Sequence, residues 1–150
     1  GRHKVPEAVH GAGGIGWHAG HFMVVGGLPP GVNENYVFEY DSDFRFIQKH
    51  VIPSGYTEKG IQTAEFINGY WWFGCYGKPC ILLKTDESFH LVGQYKFDCA
   101  LGLAGLADGR FLVGRGATRP GKKRAGSVIL ARADAAKGLV VADAGKPAGK

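Results

Sequence analysis

Two histidines three residues apart, His18 and His21 in "GWHAGHF", and the carboxylate of Glu65 in "IQTAEFI" are the groups of this 150-residue chain best suited to chemistry. Imidazole with carboxylate suits zinc, manganese or iron. H-x2-H spacing on a strand or turn does not guarantee that both rings share one face, so the alternative is a channel-facing, hydrogen-bonded His18 beside an exposed turn residue, His21, and no metal is assigned. Glu65 and Asp98 form a second conceivable pair, since two carboxylates roughly 5–10 Å apart cleave glycosides. Turn chemistry gives Asp98 the simpler role of capping the entry to the next strand.

A basic stretch, "GRGATRPGKKRAG" at 114–126, offers Arg115, Arg119, Lys122, Lys123 and Arg124. Guanidinium forks hold carboxylate or sulfate bidentately, so an acidic glycan fits, against the plainer reading of a solvated Gly/Pro loop between two strands. Charge is uneven along the chain. Residues 1–109 carry 8 Lys/Arg against 11 Asp/Glu, net −3, and residues 110–150 carry 10 against 2, net +8, giving the overall +5. Nucleic acid is disfavoured as a partner because no aromatic residue follows Phe111 to stack on bases.

Other chemistries lack their signatures. There is no G-x-S-x-G, and Cys75 falls inside an apolar run where a thiol is inert. Gly11, Gly13 and Gly16 match G-x-G-x-x-G, but no helix pattern follows, so the dinucleotide fingerprint is a chance match and no cofactor is expected. Cys75 and Cys80 flank the turn "YGKP" and either close a hairpin disulfide or stay as buried thiols; Cys99 has no evident partner. No apolar stretch reaches the roughly 20 residues of a membrane helix, and no membrane partner is expected.

The elements that must position these groups are strands. Gly is frequent (25 of 150), 45% of residues are apolar, and helix-favouring runs are scarce, which predicts an all-β fold with short strands and many turns. The chain also repeats itself. Overlaying "AGGIGWHAGHFMVVGG", "GIQTAEFINGYWWFGC" and "ALGLAGLADGRFLVGR" makes Gly26, Gly74 and Gly114 coincide, with Gly16, Ala64 and Ala104 at equivalent inner positions. Further on, Asp41, Asp86 and Asp134 align, and Phe44 and Phe89 follow three places after the first two. Repeats of 40 to 48 residues belong to propeller blades.

Three four-stranded blades are therefore expected at about 12–56, 57–98 and 99–143, with 144–150 as a tail. In the middle unit the strands are Gln62–Ile67, Tyr70–Cys75, Cys80–Thr85 and His90–Phe97, and "NG" marks a type I′ hairpin between the first two. A blade packed on both faces needs no apolar/polar alternation, so the run from Tyr70 to Phe73 reads as filling between blades.

The first unit, "HFMVVGGLPPGVNENYVFEYDSDFRF", resembles a kelch-type repeat: a strand ending in Gly26-Gly27, a loop, the Tyr40-Asp41 pair and an aromatic, Phe44, where kelch repeats carry Trp. The other units have Gly74-Cys75, Gly114-Arg115, Thr85-Asp86 and Ala133-Asp134 at those places. The whole is similar to a diverged bacterial-type β-propeller repeat protein. Propellers close with about four to eight blades, so three imply either a homodimer forming a six-bladed ring or a segment of a longer chain, the latter suggested by the start without Met and the end in "ADAGKPAGK".

The expected function is a binding or scaffold propeller recognising a glycan or protein partner, through His18, Gln62, Glu65, Arg115 and Arg119. The alternative is a carbohydrate-active hydrolase or lyase with His18 and Glu65 at the mouth of the central channel.

Overall fold

The structure is a computed structural model that describes residues 1–117 and 125–142. Twelve strands form three antiparallel four-stranded sheets, each in meander order, and no helix occurs among the described residues. The first sheet comprises β1 (Ala12–His18), β2 (His21–Gly26), β3 (Asn35–Tyr40) and β4 (Phe46–Ile52). The second comprises β5 (Ile61–Ile67), β6 (Tyr70–Cys75), β7 (Ile81–Thr85) and β8 (Leu91–Lys96). The third comprises β9 (Gly102–Gly105), β10 (Phe111–Ala117), β11 (Ala125–Asp134) and β12 (Gly138–Val141).

The leading strands β1, β5 and β9 lie side by side, so the sheets pack face to face in chain order. Small residues allow this approach. A Cβ built on Gly14 would stand 2.4 Å from the Gln62 carbonyl oxygen, and one on Gly16 would stand 2.7 Å from the Trp71 ring. The second sheet is covered on both faces, and its aromatic run divides by strand alternation. Trp71 and Phe73 point into the core shared with Met23, Val25 and Val37 of the first sheet, while Trp72 points into the core shared with Phe111, Val113 and Leu139 of the third. Trp71, Trp72 and Phe73 are at most 1% exposed. Burying rings of this size contributes about 2–3 kcal/mol each.

The repeat holds in outline, but its register in the first sheet differs by one residue from the glycine overlay. Met23 pairs with Gly16, Trp72 with Glu65 and Leu112 with Ala104, so these are the equivalent positions. Gly26 pairs with Ala12, whereas Gly74 and Gly114 pair with Leu82 and Val128 of the following strand. The turns set this register. His18 and His21 close a two-residue hairpin as Ile67 and Tyr70 do, and counting from those turns aligns Val25, not Gly26, with Gly74. With a side-chain period of two, that one residue exchanges the faces.

The aspartates start a shared turn. Asp41 Oδ1 accepts N–H bonds from Asp43 and Arg45 at 2.9 Å, Asp86 Oδ1 accepts one from His90 at 2.8 Å, and Asp134 Oδ1 accepts those of Ala136 and Lys137. In the first two, the chain turns back through a left-handed phenylalanine, Phe44 (φ 61) and Phe89 (φ 66), whose ring drops onto a sheet face.

Residues ahead of β1 cover much of the outer face of the first sheet. Val5 and Ala8 pack with Phe44 over Val24, Phe38 and Tyr40, and the Tyr40 hydroxyl donates to Glu7 at 2.6 Å.

Candidate functional site

Among the described residues, the richest cluster of ionisable groups lies between the first and second sheets. Glu39 on β3 faces the second sheet and is 9% exposed. Gln48 stands directly across from it on β4, and His50 and His21 are two residues along on the flanking strands, so alternation places all four side chains on one face. His21 Nδ1 is 2.5 Å from Glu39 Oε1, His50 Nε2 is 2.6 Å from Oε2, and Gln48 Nε2 donates to Oε2 at 3.0 Å. Burial pushes the Glu39 carboxyl up, but the bonds from His50, Gln48 and His21 outweigh it and leave the group below the ordinary carboxylate range. Glu39 is thus a fixed carboxylate held between two imidazoles.

His18, across the hairpin from His21, completes the cluster toward the second sheet. Its Nε2 is 2.7 Å from Glu87 Oε1 in the β7–β8 turn, and its ring stacks on Phe66 with centroids 3.5 Å apart. The His50 ring sits 4.3 Å from that of Phe89. These groups border a cleft of about 260 Å³ whose floor includes Trp71, with Ser88 and Ala19 at the rim. Trp71 is fully buried, and its indole N–H is the one buried side-chain donor without a partner among the described residues. Ala19, in the turn between the two histidines, holds a left-handed backbone (φ 50) that favours Gly or Asn.

The other residues singled out in the sequence lie apart from this cleft. Strand alternation turns Glu65 away from it, toward Gly105 of the third sheet; burial leaves its carboxyl above its ordinary range, against the opposing pull of the Gly105 N–H. Gln62 is the second residue of β5, whereas His18 ends the neighbouring β1, so the two lie at opposite ends of the packed strands. The Gln62 amide donates to the Lys59 carbonyl at 2.8 Å and borders a separate shallow cleft with His10 and Glu58. Arg115 lies on β10, paired with Ser127, because the β10–β11 ladder continues to Ala117 and Ala125. Its Nε donates to the Asp98 carbonyl, and its guanidinium lies 4.9 Å over the Phe97 ring. Arg119 lies outside the described residues, as do Lys122, Lys123 and Arg124. Asp98 Oδ1 accepts the Ala100 N–H at 3.4 Å, a turn contact.

Among the described residues, no three His, Cys, Asp or Glu groups converge to hold a metal ion. In the cleft His21 Nδ1 and His50 Nε2 bond the Glu39 oxygens directly, and His18 Nε2 bonds Glu87. Cys75, Cys80 and Cys99 are free thiols. Burial pushes all three up, Cys99 to about 12.

Glu39, His50, Gln48 and Glu87 were not singled out in the sequence. Glu39 precedes the Tyr40-Asp41 pair, and strand alternation could have placed it on the inward face, but two of its three partners, Gln48 and His50, are on the edge strand β4, where no local pattern marks them. Compared with known proteins, the chain matches no family model and no curated protein sequence.

Proposed function

We propose that the three sheets are blades of a β-propeller and that the chain is a binding module whose histidine cleft, between the first two blades, takes a hydroxyl-rich ligand of the glycan class. The observation that carries this reading is the Glu39 carboxylate fixed between His21 and His50 beside the Trp71 and Phe89 rings. Fixed acceptors and partly exposed imidazoles above a packed aromatic floor fit a sugar, whose hydroxyls need both donors and acceptors. The propeller reading is supported by the packing of successive four-stranded meanders along their leading strands.

The expectation of an acidic glycan rests on Arg115 and Arg119. Arg115 already donates to Asp98 and covers Phe97, so the proposal moves the ligand to the histidine cleft. There Glu39 and Glu87 favour hydroxyls over carboxylates. Screening neutral and uronic oligosaccharides by ligand-observed NMR tests the proposal. Neutral sugars should bind with little dependence on salt, and binding confined to acidic sugars that weakens steeply with salt would favour the basic third sheet.

The His21–Glu39 pair also favours a second reading, a carbohydrate-active enzyme of the lyase or hydrolase kind. A carboxylate-held imidazole is a competent general base, and His21 is partly exposed. Release of unsaturated or reducing ends from an oligosaccharide, lost in His21→Ala, would establish it.

A further inference from the structure

The histidine cleft offers the hydroxyls of a sugar their partners, but its aromatic floor is packed away: Trp71 and Phe89 are at most 5% exposed. Open rings stand at the other end of β7. Tyr56, in the linker 53–60 ahead of β5, and Tyr76, in the linker 76–80 after β6, are 52% and 43% exposed and border one cleft of about 380 Å³. Pro79 and Ile81 give that cleft an apolar wall, and Thr57, Glu58, Lys78 and Gln94 give it polar groups. Ile81 begins β7 and packs against the core shared with the first sheet, whereas Ser88 and Phe89, beyond the end of β7, border the histidine cleft.

Both linkers are fixed by the protein itself. In the first, the buried Asn35 amide donates to Ser54 Oγ at 2.8 Å and to Thr57 Oγ1 at 3.0 Å, and both hydroxyl residues are buried as well. The second is tied to the first by the Lys78 backbone N–H, which donates to Glu58 Oε2 at 3.1 Å. Lys59 Nζ lies 5.0 Å over one face of the Tyr76 ring and steadies it. A cleft held in this way binds with little ordering cost.

We infer that the tyrosine cleft is a second sugar subsite, in which a pyranose lays its C–H face against the tyrosine rings while Glu58 accepts from its hydroxyls and Lys78 and Gln94 donate to them. The lining argues for this class of ligand. Exposed phenol rings take an apolar face, and a carboxylate, an ammonium and an amide serve neighbouring hydroxyls as acceptor and donors. The opposite charges of Glu58 and Lys78 leave no net charge there to favour an anion or a cation. This inference rests on the glycan reading above and extends it, since the chain then holds a glycan at two points.

Amide chemical shifts of the isotope-labelled chain, titrated in turn with cellotetraose, mannotetraose and chitotetraose, test it. At least one sugar should move the backbone amides of Gly77 and Lys78 and the side-chain amide of Gln94 along a saturable curve. Tyr76→Ala should weaken that response about tenfold and Tyr76→Phe by about twofold at most, because the ring face carries the contact and the hydroxyl does not. Tyr56→Ala, on the other linker, should weaken it as well, and all three variants should keep the cooperative melting of the parent because both rings are exposed. A response at Lys78 that neither alanine variant alters would overturn the inference, as would shifts confined to Ala19, Ser88 and their neighbours. The proposed function fails separately: shifts at Gly77, Lys78 and Gln94 alone refute the histidine cleft and keep this one, shifts at Ala19 and Ser88 alone do the reverse, and no response to any of the three sugars refutes both.

Discussion

His50 Nε2 stands 2.6 Å from Glu39 Oε2, and the other oxygen of that carboxylate is 2.5 Å from His21 Nδ1. Two strands flanking β3 therefore send imidazoles to one nearly buried charge. Glu39 is held below its ordinary 4.5, so its contribution to stability is present above that value and is lost as pH falls through the lower folded-state value. Urea unfolding of the parent protein should show a decline below about pH 4.5 that Glu39→Gln lacks in part. Near neutrality Glu39→Ala should cost about 1–3 kcal/mol, because two imidazoles lose their partner at a mostly buried site. Equal acid sensitivity in parent and variant would contradict the assignment.

The turn between the two site histidines is strained. Ala19 adopts φ 50, where the equivalent turn of the second sheet places Asn68 at φ 56. Ala19→Asn should stabilise the protein by about 1 kcal/mol, read as a raised melting temperature. Asn68→Ala should destabilise it by more than that gain, since it also loses the bond from Asn68 Nδ2 to the Gly109 carbonyl.

Close packing of β1 on β5 predicts a sharp response at Gly14. An alanine there would bring its Cβ to 2.4 Å from the Gln62 carbonyl oxygen, which belongs to the backbone and has little room to move. Gly14→Ala should cost about 1–3 kcal/mol in chemical denaturation. Gly20→Ala, a site with open space but φ 83, should cost about 1–2 kcal/mol from backbone strain alone and leave the β1–β5 seam intact.

The three thiols should differ in reactivity. Cys75 and Cys99 are buried and Cys80 is half-buried, with all three raised by burial. An alkylating reagent applied at pH 8 should modify Cys80 alone, slowly, and should reach all three only after unfolding. Rapid native modification of Cys99 would contradict the packing of the second sheet against the third.

Much of this architecture is legible in the sequence because its signals are local. "NG" fixes the β5–β6 hairpin, the Asp-x-x-Phe spacing fixes two further turns, and the aromatic run from Tyr70 to Phe73 marks a strand covered on both faces. The strand ends expected for the middle unit differ from those observed by a single residue at each displaced end. The site is less legible, because a one-residue register decides which face a side chain takes. An overlay on glycines puts Ala64 level with Gly16, whereas the turns put Glu65 there and send its carboxylate toward Gly105 instead of His18. Glu39 and His50 are eleven residues apart on neighbouring strands, and nothing in their local sequence announces that they meet.

Tryptophan fluorescence during sugar titration tests the central claim most directly, since Trp71 lies in the floor of the cleft. The neutral oligosaccharide that scores highest in the NMR screen would be titrated into the parent protein, His18→Ala and His50→Ala, each verified as folded. A saturable change in the parent, at least tenfold weaker in both variants, is the predicted result. A change that neither substitution alters, or no saturable change with any neutral or acidic sugar in the screen, would show that the Glu39 cleft is not the binding site.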